Sequence, residues 1–228
     1  MQLRPLRSGN YLCRVDVNEC PGTYPWAFGS DFLLHRAHVR MADPLRFLVA
    51  ESEPHQAREK RRDSVGRSSG ETYIETLRSL APGARCDRVK PADRGAGLPS
   101  GEALAEYDGI FLTGSPLHLY EHTQETRREV EFMRAVFHSG VPAFGSCAGL
   151  QVATVAAGGT VRRNARGREA AFARRITPTD AGREHPLLHG RPAAYDAPAV
   201  HGDRPSTPDR QGSRNRIAKA RKRVIHVT

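Results

Sequence analysis

Residues 141–151 read Val-Pro-Ala-Phe-Gly-Ser-Cys-Ala-Gly-Leu-Gln, and no other stretch leaves the fold so little freedom. The first half is short and apolar and predicts a buried strand. The second half turns on Gly145 and Gly149 and runs into residues 152–157, whose small side chains predict a helix. A nucleophile between a strand end and a helix start is the elbow that serine hydrolases build as G-x-S-x-G. Here the five residues are Gly145-Ser-Cys147-Ala-Gly149, with cysteine at the centre. A free thiol has a pKa of about 8.5, so only a few per cent is thiolate at neutral pH. The unpaired N–H groups and positive end of a helix favour the anion. The N–H of Ala148, next in the chain, would face a developing oxyanion. The same pentapeptide also fits an inert, buried cysteine in a strand–turn–helix unit.

The segments upstream supply a sheet for that elbow. Residues 45–50 and 110–112 predict core strands, and residues 86–89 a further strand. Ile74, Leu77 and Leu80 form a helical stripe that Pro82-Gly83 ends. A helix opening at Thr123 or Gln124 runs to His138, with Val130, Met133 and Phe137 inward and Gly140 as its stop. Residues 51–70, polar and charged, read as a solvated loop with one helical turn at most, and residues 90–101 as loop. Strand and helix alternating from 45 to 157 predict an α/β fold with a doubly wound parallel sheet. Thr113-Gly-Ser-Pro116 is a tight turn at the end of strand 110–112. Ligands of parallel α/β sheets bind beyond the carboxyl ends of the strands, so Gly114 and Ser115 share a rim with Cys147. Glycine at 114 lets a backbone N–H approach a substrate oxygen closely.

Charge and cysteine usage narrow the partners. The net charge is +10, yet residues 204–228 hold eight Lys/Arg against one acid, and residues 1–40 five Arg against three acids. The body between them is nearly neutral. Basicity confined to the ends is poor support for a nucleic-acid partner, which needs a basic patch on a folded face. None of the 4 Cys forms a C-x-x-C pair or a zinc-like cluster. This predicts reduced thiols, no metal, no cofactor and a cytoplasmic setting. No apolar run approaches membrane-spanning length, and N-terminal arginines without a compact apolar core and cleavage site give the expectation of no secretory signal.

The motif set Tyr107-Asp-Gly-Ile-Phe-Leu-Thr-Gly-Ser-Pro116, Gly145-Ser-Cys-Ala-Gly-Leu-Gln151 and His201-Gly-Asp203 resembles the class I glutamine amidotransferases. Within them it is most like stand-alone relatives of the GMP synthase amidotransferase domain, over residues 45–203. The resemblance implies a flavodoxin-like sheet carrying an elbow cysteine. Cys147 is then the nucleophile that attacks the glutamine side-chain amide, giving a glutamyl thioester and ammonia. Gly114 and Ala148 are the implied oxyanion-hole donors. Ser115, Gln151 and the backbone at His201-Gly202 are the implied substrate-binding parts. Glutamine is the implied substrate, and an ammonia-accepting synthetase the implied partner.

Past Asp203 the likeness ends. The family continues with further strands and a His-Pro-Glu tripeptide that supplies the base and its orienting carboxylate. Here the chain runs Arg204-Pro-Ser-Thr-Pro-Asp-Arg, and His226 precedes Val227 and Thr228. The expectation is an incomplete domain over 41–203, a disordered basic tail over 204–228 of the kind a frame change produces, and impaired glutaminase activity. Missing strands would leave a sheet edge uncovered. His118 and His122 read as surface-loop residues, and Asp203 as a turn residue or a supporting group. A catalytically inactive glutamine-binding relative and a basic-tailed nucleic-acid-binding protein are the competing readings. Residues 1–40 read as an extension outside the fold. Deleting them is expected to leave the melting temperature within a few degrees in a thermal melt.

Overall fold

Strand β1 (Arg46–Ala50) lies between two neighbours in a parallel sheet, and after Arg46 its side chains are apolar on both faces. Leu48, Val49 and Ala50 are fully buried. Around it the chain, described here by a computed structural model over residues 43–165, 167–185, 188–206 and 224–225, adds α1 (His55–Val65), α2 (Ser69–Leu80) and β2 (Arg85–Val89). There follow α3 (Glu102–Ala105), β3 (Gly109–Leu112), α4 (Gln124–Ser139), β4 (Ala143–Gly145) and α5 (Ala148–Ala156). The sheet order is β2-β1-β3-β4, all parallel. The order reverses between β1 and β3, so the crevice of the fold opens beyond their carboxyl ends.

The two faces are packed differently. Leu48 and Ala50 join Ile110, Leu112 and Ala143 in one cluster with Val130, Met133 and Val136 of α4 and Val152 of α5. Phe47, Phe111, Phe144 and Tyr73 of α2 form an aromatic chain, led by an edge-on Phe47–Phe111 pair at 5.3 Å. The helix ends follow their local chemistry. Ser68 and Glu71 make a reciprocal capping box at the start of α2, and Thr123 caps α4. Gly140 closes α4 in the left-handed conformation.

Residues 51–70 correct the sequence reading. Instead of a loop they hold the eleven-residue α1 and the start of α2. Helix α1 has no apolar stripe, and its one buried residue is Arg58, 1% exposed. The Arg58 guanidinium donates to the Glu53 carbonyl and to both Asp93 carboxylate oxygens, 4.0 Å from buried Glu51. A helix anchored by an ion cluster carries no hydrophobic period to detect.

Beyond α5 the chain leaves the parallel sheet. Strands β5 (Thr160–Arg163) and β8 (Asp203–Ser206) pair antiparallel, as do β6 (Glu169–Ile176) and β7 (Tyr195–His201), with α6 (Asp180–Arg183) between the latter two. Strand β8 begins at Asp203 and runs on to Ser206, where its backbone pairs with β5. Val224–Ile225, an apolar doublet in the basic segment, forms β9 and pairs with β4. The expected open edge at β4 is thus occupied over those residues. Residues 207–223 and 226–228 lie outside the described residues, and with them most of the expected tail. The expectation for residues 1–40 lies outside them too.

Glu129 on α4 is 2% exposed, and one of its carboxylate oxygens has no hydrogen-bond partner. Burial pushes its carboxyl up to about 8, offset in part by the nearby Ser52 side chain. Folded, the group keeps its proton to about pH 8, and unfolded it loses it near 4.5. Its contribution to stability is whole below about pH 4.5 and is lost as pH rises towards 8. Glu129→Gln is expected to be more stable than the parent above about pH 8 and nearly equal to it below about pH 4.5. Urea titrations across that range check this; parallel stability curves would contradict it.

Candidate active site

The elbow is closed by two steric contacts. A Cβ on Gly145 would lie 2.6 Å from the Gly149 carbonyl, and a Cβ on Gly149 would lie 2.7 Å from the Leu112 carbonyl oxygen. No side chain fits at either place, so β4, α5 and β3 meet backbone to backbone. Gly149→Ala is expected to cost about 3 kcal/mol, at the upper end for overpacking, because rigid backbone must move. Chemical denaturation measures this.

Between those glycines Cys147 adopts φ 52°, ψ −110° as the N-cap of α5. A non-glycine residue with positive φ outside the left-handed helical basin is strained. The strain lifts the side chain out of the sheet, and Cys147 is exposed. Its carbonyl accepts from the N–H groups of Leu150 and Gln151. Ala148 opens the helix, so its N–H precedes the intrahelical ladder.

The loop after β3 faces this thiol. A Cβ placed on Gly114 would stand 3.7 Å from the Cys147 Cβ. Thr113, fully buried, holds the loop: its N–H donates to Ala50, and its hydroxyl accepts from the Ser52 N–H and the Ser69 hydroxyl. The Ser115 hydroxyl accepts from the Leu117 N–H. A pocket of about 610 Å³ opens here, and its walls include Ser115, Cys147, Gln151 and Gly202. Four residues expected at the site from the sequence thus share one cavity. Gln151 is 6% exposed, and its side-chain oxygen has no partner. Gly202 reaches the wall because the Asn164 N–H donates to its carbonyl, where β5 meets β8. His201 ends β7 opposite Glu169, and its side chain lies outside what is described.

The same walls carry His118 and Asp203, read from the sequence as a surface-loop residue and as a turn residue or supporting group, together with Tyr120, Glu121, Arg163 and Arg168. His118 Nδ1 is 2.7 Å from Asp203 Oδ2, joining residues 85 positions apart. His118 stacks on Tyr120 with ring centroids 5.2 Å apart. The available signal was position: His118 lies three residues past Ser115, on the rim already inferred. Nothing local in the sequence linked it to Asp203. Among the described residues no group of three or more His, Cys, Asp or Glu side chains forms a metal site. No described helix is long and apolar enough to cross a membrane.

Residues 77–211 match the family described as glutamine amidotransferase class-I. A gamma-glutamyl-L-1-hydroxyisopropylamide hydrolase from Pseudomonas sp. is 34% identical over 166 residues, 71% of this chain and 55% of that protein. A glutamine-hydrolyzing GMP synthase from Leifsonia xyli subsp. xyli is 34% identical over 95 residues, 42% of this chain and 18% of that protein. The chain therefore spans about half the length of the first and about a fifth of the second. A crystal structure of a glutamine amidotransferase from Thermotoga maritima shares the fold at a TM-score of 0.50 and 20% identity, covering 73% of this chain and 64% of that one. The chain belongs to the class I glutamine amidotransferase family.

Proposed function

We propose that this protein is a cysteine-dependent amidase that cleaves γ-glutamyl amides, of which glutamine is the simplest. The observation that carries the reading is the placement of Cys147: strained, exposed, at a helix start, and in the wall of a polar pocket. Cys147 attacks the amide carbon and forms a glutamyl thioester, releasing ammonia or an amine. The N–H groups of Gly114 and Ala148 receive the oxyanion. Gln151 offers its unpartnered oxygen to the substrate α-amino group, with Ser115 and the His201-Gly202 backbone beside it. Arg163 and Arg168 suit the α-carboxylate, and Glu121 adds a negative counterpart for the ammonium. The strand order β2-β1-β3-β4 fits a flavodoxin-like sheet.

The Pseudomonas relative is a hydrolase of a substituted γ-glutamyl amide by its name. That likeness favours release of the amine to solvent over delivery to a synthetase partner. The setting that fits a reduced Cys147 is the cytoplasm. The test is ammonia release from glutamine, run beside amine release from a γ-glutamyl alkylamide. Turnover of either supports the reading. Thiol labelling that glutamine slows, with no turnover, would make this a binding protein instead.

A further inference from the structure

We propose that His118, oriented by Asp203, is the group that takes the proton of Cys147. The inference rests on the cysteine chemistry proposed above. It gives the site a base built from the rim loop and β8 rather than from a tripeptide at the end of the domain.

Asp203 is 5% exposed, and the β5–β8 pairing opposite Arg163 fixes its backbone. One carboxylate oxygen accepts from His118 at 2.7 Å, and the other is buried without a partner. A carboxylate held in place by its strand and accepting from the ring fixes the imidazole's orientation. Because a carboxylate only accepts, Nδ1 carries the hydrogen, and the free lone pair of the neutral ring lies on Nε2. Stacking on Tyr120 fixes the ring plane. The His118 side chain is 45% exposed, in the same pocket wall as Cys147. Other wall groups serve less well. Arg163 and Arg168 present donors only, with no acceptor lone pair. Glu121 is an exposed carboxylate.

Nε2 takes the Sγ proton, directly or through one pocket water, and the thiolate forms the S–C bond to the amide carbon. The imidazolium returns that proton to the departing nitrogen as the C–N bond breaks. A water then attacks the thioester, giving its proton to Nε2, and the S–C bond breaks to release glutamate. The thiolate finally regains the proton from Nε2. One water is consumed, and no oxidant or reductant is involved.

The test uses the full chain and needs no substrate. Iodoacetamide alkylation at neutral pH is followed at Cys147 by mass spectrometry, with half-buried Cys86 as the internal control. His118→Gln and Asp203→Asn are expected to slow alkylation of Cys147 roughly tenfold, through the lost thiolate fraction, and to leave Cys86 unchanged. In His118→Gly, added imidazole is expected to restore the Cys147 rate. Unchanged Cys147 rates in both variants would overturn the proposal. So would a slow rate that imidazole does not restore, since that marks a structural role. Amide turnover that needs Cys147 but not His118 would overturn the pair and leave the amidase reading standing. A His118-dependent thiol in a protein without turnover would do the reverse.

Discussion

Replacing Cys147 with serine is expected to lower turnover of any γ-glutamyl amide by at least about four powers of ten, with the fold intact. Loss of a nucleophile that acts as one unit with its base costs nearly as much as loss of the whole unit. Serine matches the side chain in size, and no hydrogen bond of the elbow runs through the sulfur: the Cys147 contacts to Leu150 and Gln151 use its carbonyl. Steady-state ammonia release measures the first effect, and a thermal melt checks the second. Residual activity within tenfold of the parent would show that the chemistry lies elsewhere. Cys147→Gly gives a complementary readout. Glycine accepts φ 52° without strain, so this variant is expected to be inactive and no less stable than serine.

The largest effect on stability is expected at Arg58, far from the thiol. Truncation to alanine is expected to cost about 3–5 kcal/mol, because it strands the buried Glu51 carboxylate, and the half-buried Asp93, without their counter-charge. Glu51 is fully buried, one of its oxygens has no hydrogen-bond partner, and its other oxygen accepts from the Gly70 N–H. Arg88 stands 3.8 Å from the same carboxylate and would be left as its main cation. Urea denaturation of Arg58→Ala gives the number. Arg46 is the contrast. It pairs with Asp87 and Glu106 on the surface, where both partners remain hydrated, so its truncation is expected to shift the midpoint far less. Equal losses at the two arginines would refute the assignment of α1 to an ionic anchor.

The Arg58 cluster also explains why α1 was not legible. Hydrophobic period is the signal by which a helix is read, and α1 has none, since the residue it buries is charged. Helix α4 shows the opposite case: Val130, Met133 and Val136 recur on one face, and the observed span closely matches the expected one. Strands β1 and β3 were legible because a parallel strand covered on both faces is apolar throughout. The distal half of the site was not. His118 and Asp203 meet only because β8 pairs with β5 and brings residue 203 back to the rim.

The sequence by itself determined the elbow. Gly145 and Gly149 flank Cys147 at a spacing that brings backbone against backbone, and those contacts follow from the absence of two Cβ atoms. It determined likewise that the turn at 113–116 stands on the same rim, since both follow parallel strands. Only the tertiary structure decided which charges meet: Arg58 with Glu51 and Asp93, and His118 with Asp203. The physical reason is range. Strand and helix patterning is written in neighbours a few residues apart, whereas an ion pair needs only that two side chains end within a few ångströms, at any separation along the chain.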